Sequence, residues 1–214
     1  MLLLSPFHSG KQLDNRPKIF LTEAEIESAR AVLTLNGIAS SKKLYMIGLL
    51  GSGSNKTYPA PYMAKVLDTI AEQSDATLLL NYMPSQQNEA REIVDLCNEK
   101  SRSQIADIIP SSIREFLALT YHCDALIGNE GGAVNMAKAL GKPTFTIFST
   151  WIKKEAWNSF EDGTSTVSVH LKDYKPEVYG NKSAKEMKHD ALKLYELFTP
   201  DLFREELKSF LSGN

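Results

Sequence analysis

Two cysteines, two tryptophans and four histidines are spread over 214 residues, and that scarcity removes several chemistries at once. Cys97 and Cys123 lack CxxC spacing, and His8, His122, His170 and His189 are scattered, so no metal site is expected. Both thiols read as core packing in a reducing compartment. The formal net charge is only −2, without the basic footprint that nucleic acid demands, and no lysine-arginine cluster marks a strong membrane surface. No apolar run approaches membrane-spanning length, and Met1-Leu-Leu-Leu-Ser-Pro6 is too short and uncharged for a signal peptide. The default compartment is the cytoplasm. Internal repeats and low-complexity tracts are absent as well.

What remains is an ordinary globular composition, 43% hydrophobic and 23% charged, with length enough for a sizeable core. Its most informative stretch is residues 124–148. Ala125, Leu126 and Ile127 form a short apolar run ending at Gly128. Ala133, Met136, Ala137 and Leu140 then recur at the spacing of one buried helix face, and Gly141 and Pro143 stop the helix. Gly131-Gly132 therefore falls where a strand hands over to a helix N-terminus. Free backbone N–H groups and the helix dipole attract anions there, and missing β-carbons let a ligand approach. The pair alone also fits a simple tight turn.

A second turn of the same kind lies upstream. Leu44-Tyr-Met-Ile-Gly-Leu-Leu50 is continuously apolar, as a strand covered on both faces requires. It runs into Gly51-Ser-Gly-Ser-Asn-Lys-Thr-Tyr-Pro59, after which Tyr62, Val66, Leu67 and Ile70 mark a helix. Small residues at 51–54 leave amides and hydroxyls free for phosphate oxygens, and Lys56 adds a full charge at the same mouth. The spacing is neither a Walker A loop nor GxGxxG, and a solvated loop lysine is the competing reading.

Elsewhere, Thr22-Glu-Ala-Glu25 predicts a capping box opening a helix to about Leu35, closed by Gly37. Strands are expected at 76–82, 105–109 and 166–170, and helices carrying Ala90, Ile93, Val94 and Cys97, then Ile113, Phe116 and Leu117. Further helical stretches are expected around 183–197 and 200–211. His122 beside Cys123 reads as helix-end packing, because no orienting acid stands near it. Strands alternating with helices predict an α/β fold: a Rossmann-like, doubly wound, mostly parallel sheet with helices on both faces.

Two of these segments together resemble a known family, the heptosyltransferase-type glycosyltransferases that build the core of bacterial lipopolysaccharide. The resemblance is to their C-terminal half. It rests on Gly51-Ser-Gly-Ser-Asn-Lys-Thr-Tyr-Pro59 and on Asn129-Glu-Gly-Gly-Ala-Val-Asn-Met-Ala-Lys-Ala-Leu-Gly-Lys-Pro143, in that order, and it covers about residues 17–170. It implies the C-terminal domain of a GT-B fold, holding an ADP-heptose-like nucleotide-diphosphate sugar for inverting transfer without metal or other cofactor. The acceptor, a glycolipid of the lipopolysaccharide core or a related surface glycan, would come through an N-terminal domain. The full enzyme would then associate peripherally with the inner face of the inner membrane.

Carried onto this sequence, the resemblance assigns Ser52 and Lys56 to the diphosphate, and Glu130, Gly131 and Gly132 to sugar and diphosphate. Asn135 stands on the same turn, and Glu89 is the candidate nucleoside contact. Glu130 replaces the family's usual aspartate, and Asn135 its usual histidine. The family's catalytic base belongs to the N-terminal domain, so no catalytic residue is expected in this chain. Residues 1–21 are read as a connector from that missing domain and 22–214 as the donor-binding domain, which alone should not transfer sugar. Two alternatives stay open: a catalytically silent GT-B-like binding module, which Asn135 favours, and half of a nucleotide-sugar epimerase. A nicotinamide dehydrogenase is disfavoured because neither turn carries the dinucleotide fingerprint. Trp151, in the polar and aromatic 149–163 loop, would line the interdomain cleft or sit on the missing domain's interface.

Overall fold

The computed structural model describes residues 16–38, 41–180 and 182–213. Residues 1–15 of the expected connector lie outside them. Six parallel strands form one sheet: β1 (Leu44–Gly48), β2 (Thr77–Asn81), β3 (Ile105–Ala106), β4 (Ala125–Asn129), β5 (Thr144–Ile147) and β6 (Thr166–Val169). Their order is β3-β2-β1-β4-β5-β6, so the chain winds outward in one direction from β1 and in the other from β4. Ile47 is registered between Leu80 and Ile127, and Gly48 between Asn81 and Gly128. At the boundary between the two windings the connections leave in opposite directions, opening a crevice beyond the strand ends.

The uninterrupted apolar run of β1 is explained by what covers it. Tyr45 and Ile47 enter a core with α2 (Ala60–Gln73), α3 (Gln87–Leu96), α10 (Ala191–Leu197) and α11 (Arg204–Gly213). Leu44 and Met46 enter a second core on the opposite face with α1 (Glu23–Leu35), α5 (Ile113–His122) and α6 (Gly132–Ala139). Each residue of the strand is buried, so alternation is lost from its sequence. α1 begins with the expected capping box: Thr22 and Glu25 each accept the other's backbone N–H. Next to the second core, Ile19 donates its N–H to Ala139 O at 2.9 Å, and Ile19 and Leu21 pack beside it.

Several boundaries differ from expectation. The strand expected over 105–109 is only Ile105–Ala106, because β3 is the sheet edge, paired with Leu78 and Leu79 alone, and Ile108 turns away into the second core. In α6 the most buried positions are Val134 and Ala137, while Ala133, Met136 and Leu140 are partly buried beside them. The 183–197 stretch breaks at Asp190 into α9 (Ala184–His189) and α10, and a 3-10 turn, Pro200–Leu202, precedes α11. Short helices α4 (Glu99–Gln104), α7 (Lys154–Trp157) and α8 (Leu171–Tyr174) were not foreseen. Cys97 and Cys123 are free and buried, and burial pushes the Cys97 thiol up to about 12, which suits packing rather than redox work. His122 Nε2 lies 2.9 Å from Ile26 O, joining α5 to α1. No helix among the described residues is long and apolar enough to cross a membrane.

Candidate functional site

The crevice at the ends of β1 and β4 is a cleft of about 540 Å³. Its walls come from the β1–α2 loop, the β2–α3 turn, the β4–α6 turn and the segment after β5. Of the residues singled out in the sequence, Ser52, Lys56, Glu130, Gly131, Gly132 and Asn135 all line it. Glu89 does not: it is exposed in the first turn of α3 and outside the cleft lining.

The loop after β1 is folded back tightly. A β-carbon on Gly51 would collide with the Lys56 carbonyl, so only glycine lets the two ends of this turn touch. Gly51 N–H donates to Thr57 Oγ1 at 3.1 Å, and the 3-10 turn Ser54–Lys56 sets Lys56 facing the opposite wall. Two bonds pin the turn from outside: Ser149 Oγ and Trp151 Nε1 both donate to Asn55 O, at 2.7 and 2.9 Å. The Trp151 ring also sits under two cations, with Lys56 Nζ 5.7 Å and Lys188 Nζ 5.0 Å from its centroid.

Across the cleft, Gly131 holds φ 155° and ψ −167°, a conformation that side-chain-bearing residues avoid, and it caps α6 with no side-chain acceptor for the helix's first N–H groups. Those amides open onto the cleft, and a β-carbon on Gly132 would meet nothing within 4 Å. Beside them Glu130 is nearly buried, its side chain 11% exposed, and its Oε1 has no hydrogen bond. That oxygen lies 3.6 Å from Lys56 Nζ. Burial raises the Glu130 pKa above the usual carboxylate range, and Lys56 pulls it back only in part. The cleft therefore sets one lysine against one largely buried carboxylate, beside the N-terminus of α6, which has no capping side chain. An oxyanion entering it gains both the lysine and the amides.

Two contributors escaped the sequence reading. Gln86 accepts Met83 N–H at 3.0 Å and donates to Gly51 O at 2.8 Å, so it ties the β2–α3 turn to the small-residue loop. Asn129, buried at the end of β4, makes three side-chain hydrogen bonds to the backbone around β1 and its loop. The sequence offers only a faint signal for Gln86, a glutamine three residues after Met83 in a turn, and none for Asn129 beyond its position before Glu130.

The profile of Glycosyltransferase family 9 (heptosyltransferase) matches residues 8–186 of the sequence. The chain belongs to this family. Lipopolysaccharide heptosyltransferase 1 of Campylobacter coli is 26% identical to the family 9 chain over 151 residues, covering 68% of it and 42% of the relative. Among solved structures, a family 9 glycosyl transferase from Veillonella parvula superposes with a TM-score of 0.71 at 12% identity, over 95% of this chain and 56% of that one. The E. coli ADP-heptose lps heptosyltransferase II gives a TM-score of 0.68 at 14% identity, over 94% and 55%. At such identities these superpositions establish a shared fold. The family 9 chain spans about half the length of the relatives it matches.

Proposed function

We propose that this chain is the donor-binding domain of a heptosyl-type glycosyltransferase and that its cleft takes a nucleotide-diphosphate sugar. The observation that carries the reading is the convergence of Lys56 and the uncapped N-terminus of α6 on one mouth at the boundary between the two sheet windings. Each is common alone. Facing each other across one cleft, they match a diphosphate, whose two anionic groups need a cation and oriented N–H donors.

Support for the kind of donor comes from the relatives, one of which is named for ADP-heptose and another for lipopolysaccharide. In transfer, the leaving nucleoside diphosphate gains negative charge, and Lys56 with the α6 amides stabilises that charge through preorganised electrostatics, with no metal assigned to the step. Ser52 at the exposed rim adds a hydroxyl, and Glu130 accepts from the sugar's hydroxyls. The base that activates the acceptor, and the glycolipid acceptor itself, are assigned to the part of such an enzyme that lies outside this cleft. This chain by itself is then inactive in transfer, inverting chemistry included. The complete enzyme works in the cytoplasm at the inner face of the inner membrane. A second reading, a silent binder using the same cleft, draws on Asn135 at the position where the family resemblance expects histidine.

Amide chemical shifts recorded while ADP, UDP, GDP or CDP is added test this reading. Shifts confined to residues 51–57, 83–86 and 129–135 are the expected result. Perturbation elsewhere, or none at millimolar ligand, would overturn it.

A further inference from the structure

Every group assigned to the diphosphate lies on one of two backbone segments, and a single amide side chain holds those segments together. Asn129 is the last residue of β4 and immediately precedes Glu130 and Gly131. It is only 4% exposed. Its Oδ1 accepts Tyr58 N–H at 2.7 Å, while its Nδ2 donates to Gly48 O at 3.1 Å and to Leu49 O at 2.9 Å. Residues 48, 49 and 58 are the two ends of the loop that carries Ser52 and Lys56. The amide therefore closes that loop from below and fixes it to the residue from which the Gly131–Gly132 turn departs.

No other type of side chain of this size supplies the set. The clasp needs one acceptor and a two-proton donor on one planar group, which among short side chains only asparagine has. Aspartate would set a carboxylate against two carbonyl oxygens. Serine would reach fewer of the partners. The far end of the clasp is also anchored, since Tyr58 Oη donates to Phe198 O at 2.5 Å in the core beneath α10. Gln86 adds a bond from the β2–α3 turn to Gly51 O.

We infer that Asn129 is a positioning residue that sets the separation between Lys56 and the α6 amides, and so selects for a diphosphate over a single phosphate. This inference rests on the donor-binding reading above for its ligand, but the clasp has a signature of its own. In the wild-type chain the Tyr58 amide should exchange with solvent as slowly as the central amides of β4, while those of the exposed Ser52 and Gly53, which donate to no backbone carbonyl among the described residues, exchange freely. In Asn129→Ser and Asn129→Asp, Tyr58 exchange should accelerate at least tenfold with β4 unchanged. Affinity for ADP should fall at least tenfold, and the preference for ADP over AMP should collapse. Asn129→Asp should regain part of that affinity on acidification, because a protonated carboxyl again donates to a carbonyl.

A substitution that lowers the melting temperature and leaves both Tyr58 exchange and the ADP:AMP ratio untouched would overturn the inference, as would rapid Tyr58 exchange in the wild type. If the wild type binds no nucleotide but Tyr58 exchange follows Asn129, the donor reading fails while the clasp stands.

Discussion

Replacing Glu130 by glutamine separates two effects that the Lys56–Glu130 pair combines. The charges lie 3.6 Å apart, and at that separation they attract by about 4–5 kcal/mol at an effective dielectric near 20. Most of that attraction is offset by desolvating a carboxylate whose side chain is 11% exposed. An incoming diphosphate has to draw Lys56 away from this carboxylate and then sit beside it. Glutamine leaves Lys56 free and removes the repulsion. The expected gain is on the order of 1.5 kcal/mol, the net worth of one charge-assisted hydrogen bond, or about tenfold tighter ADP by calorimetry. For a sugar-bearing donor the same change weakens an acceptor for sugar hydroxyls, so affinity should stay within roughly threefold.

The pH dependence follows from the direction of the Glu130 shift. Because burial raises its pKa, folded protein binds this proton more readily than unfolded chain. Ionised Glu130 therefore opposes folding, and also diphosphate binding, above its folded pKa, and the opposition fades as pH falls through it. Wild-type affinity for ADP should approach that of Glu130→Gln on acidification. The ratio of the two cancels the titration of the ligand's own phosphate. A Glu130→Gln chain that binds ADP tenfold more weakly, or a ratio independent of pH, would refute this reasoning.

Other substitutions probe the walls of the cleft. Gly132→Val should keep a melting temperature within a few degrees of wild type, since its β-carbon meets nothing within 4 Å, and yet lose nucleotide affinity because its methyls cover the helix amides. Gly51→Ala should instead destabilise the fold by about 1–3 kcal/mol in urea unfolding, as the Lys56 carbonyl has to move. Trp151→Leu removes the indole bond to Asn55 O and the ring beneath Lys56, and should weaken ADP about fivefold, consistent with about 1 kcal/mol from one hydrogen bond or cation–π contact. Tyr58→Phe leaves Phe198 O without its buried donor, and should lower stability by about 1–2 kcal/mol while hardly changing nucleotide affinity.

The parts of this protein that could be read from sequence are those with local causes. The apolar run of β1 reflects burial on both faces, the Thr22–Glu25 box marks the start of α1, and Gly131-Gly132 marks the strand-to-helix handover. Lys56, Glu130 and the two glycines could be grouped because both turns follow strands whose ends meet at the winding boundary. What stayed hidden depends on contacts between distant segments. Asn129 reaches residues 48, 49 and 58 across 81, 80 and 71 positions, and Trp151 reaches Asn55 across 96. No periodicity records such bonds. Glu89 was proposed from its place early in α3, but that turn faces solvent, and Gln86, three residues earlier, is the one that looks into the cleft. The shortness of β3 is likewise a property of the sheet edge rather than of its isoleucines.

The most direct test of the central claim is calorimetric titration of this chain with ADP, UDP, GDP and CDP sugars, beside Lys56→Ala. The account predicts saturable binding of one nucleotide class, weakened at least tenfold in the variant. A folded chain that binds none of the four at millimolar concentration, or one that binds equally well without Lys56, would contradict it.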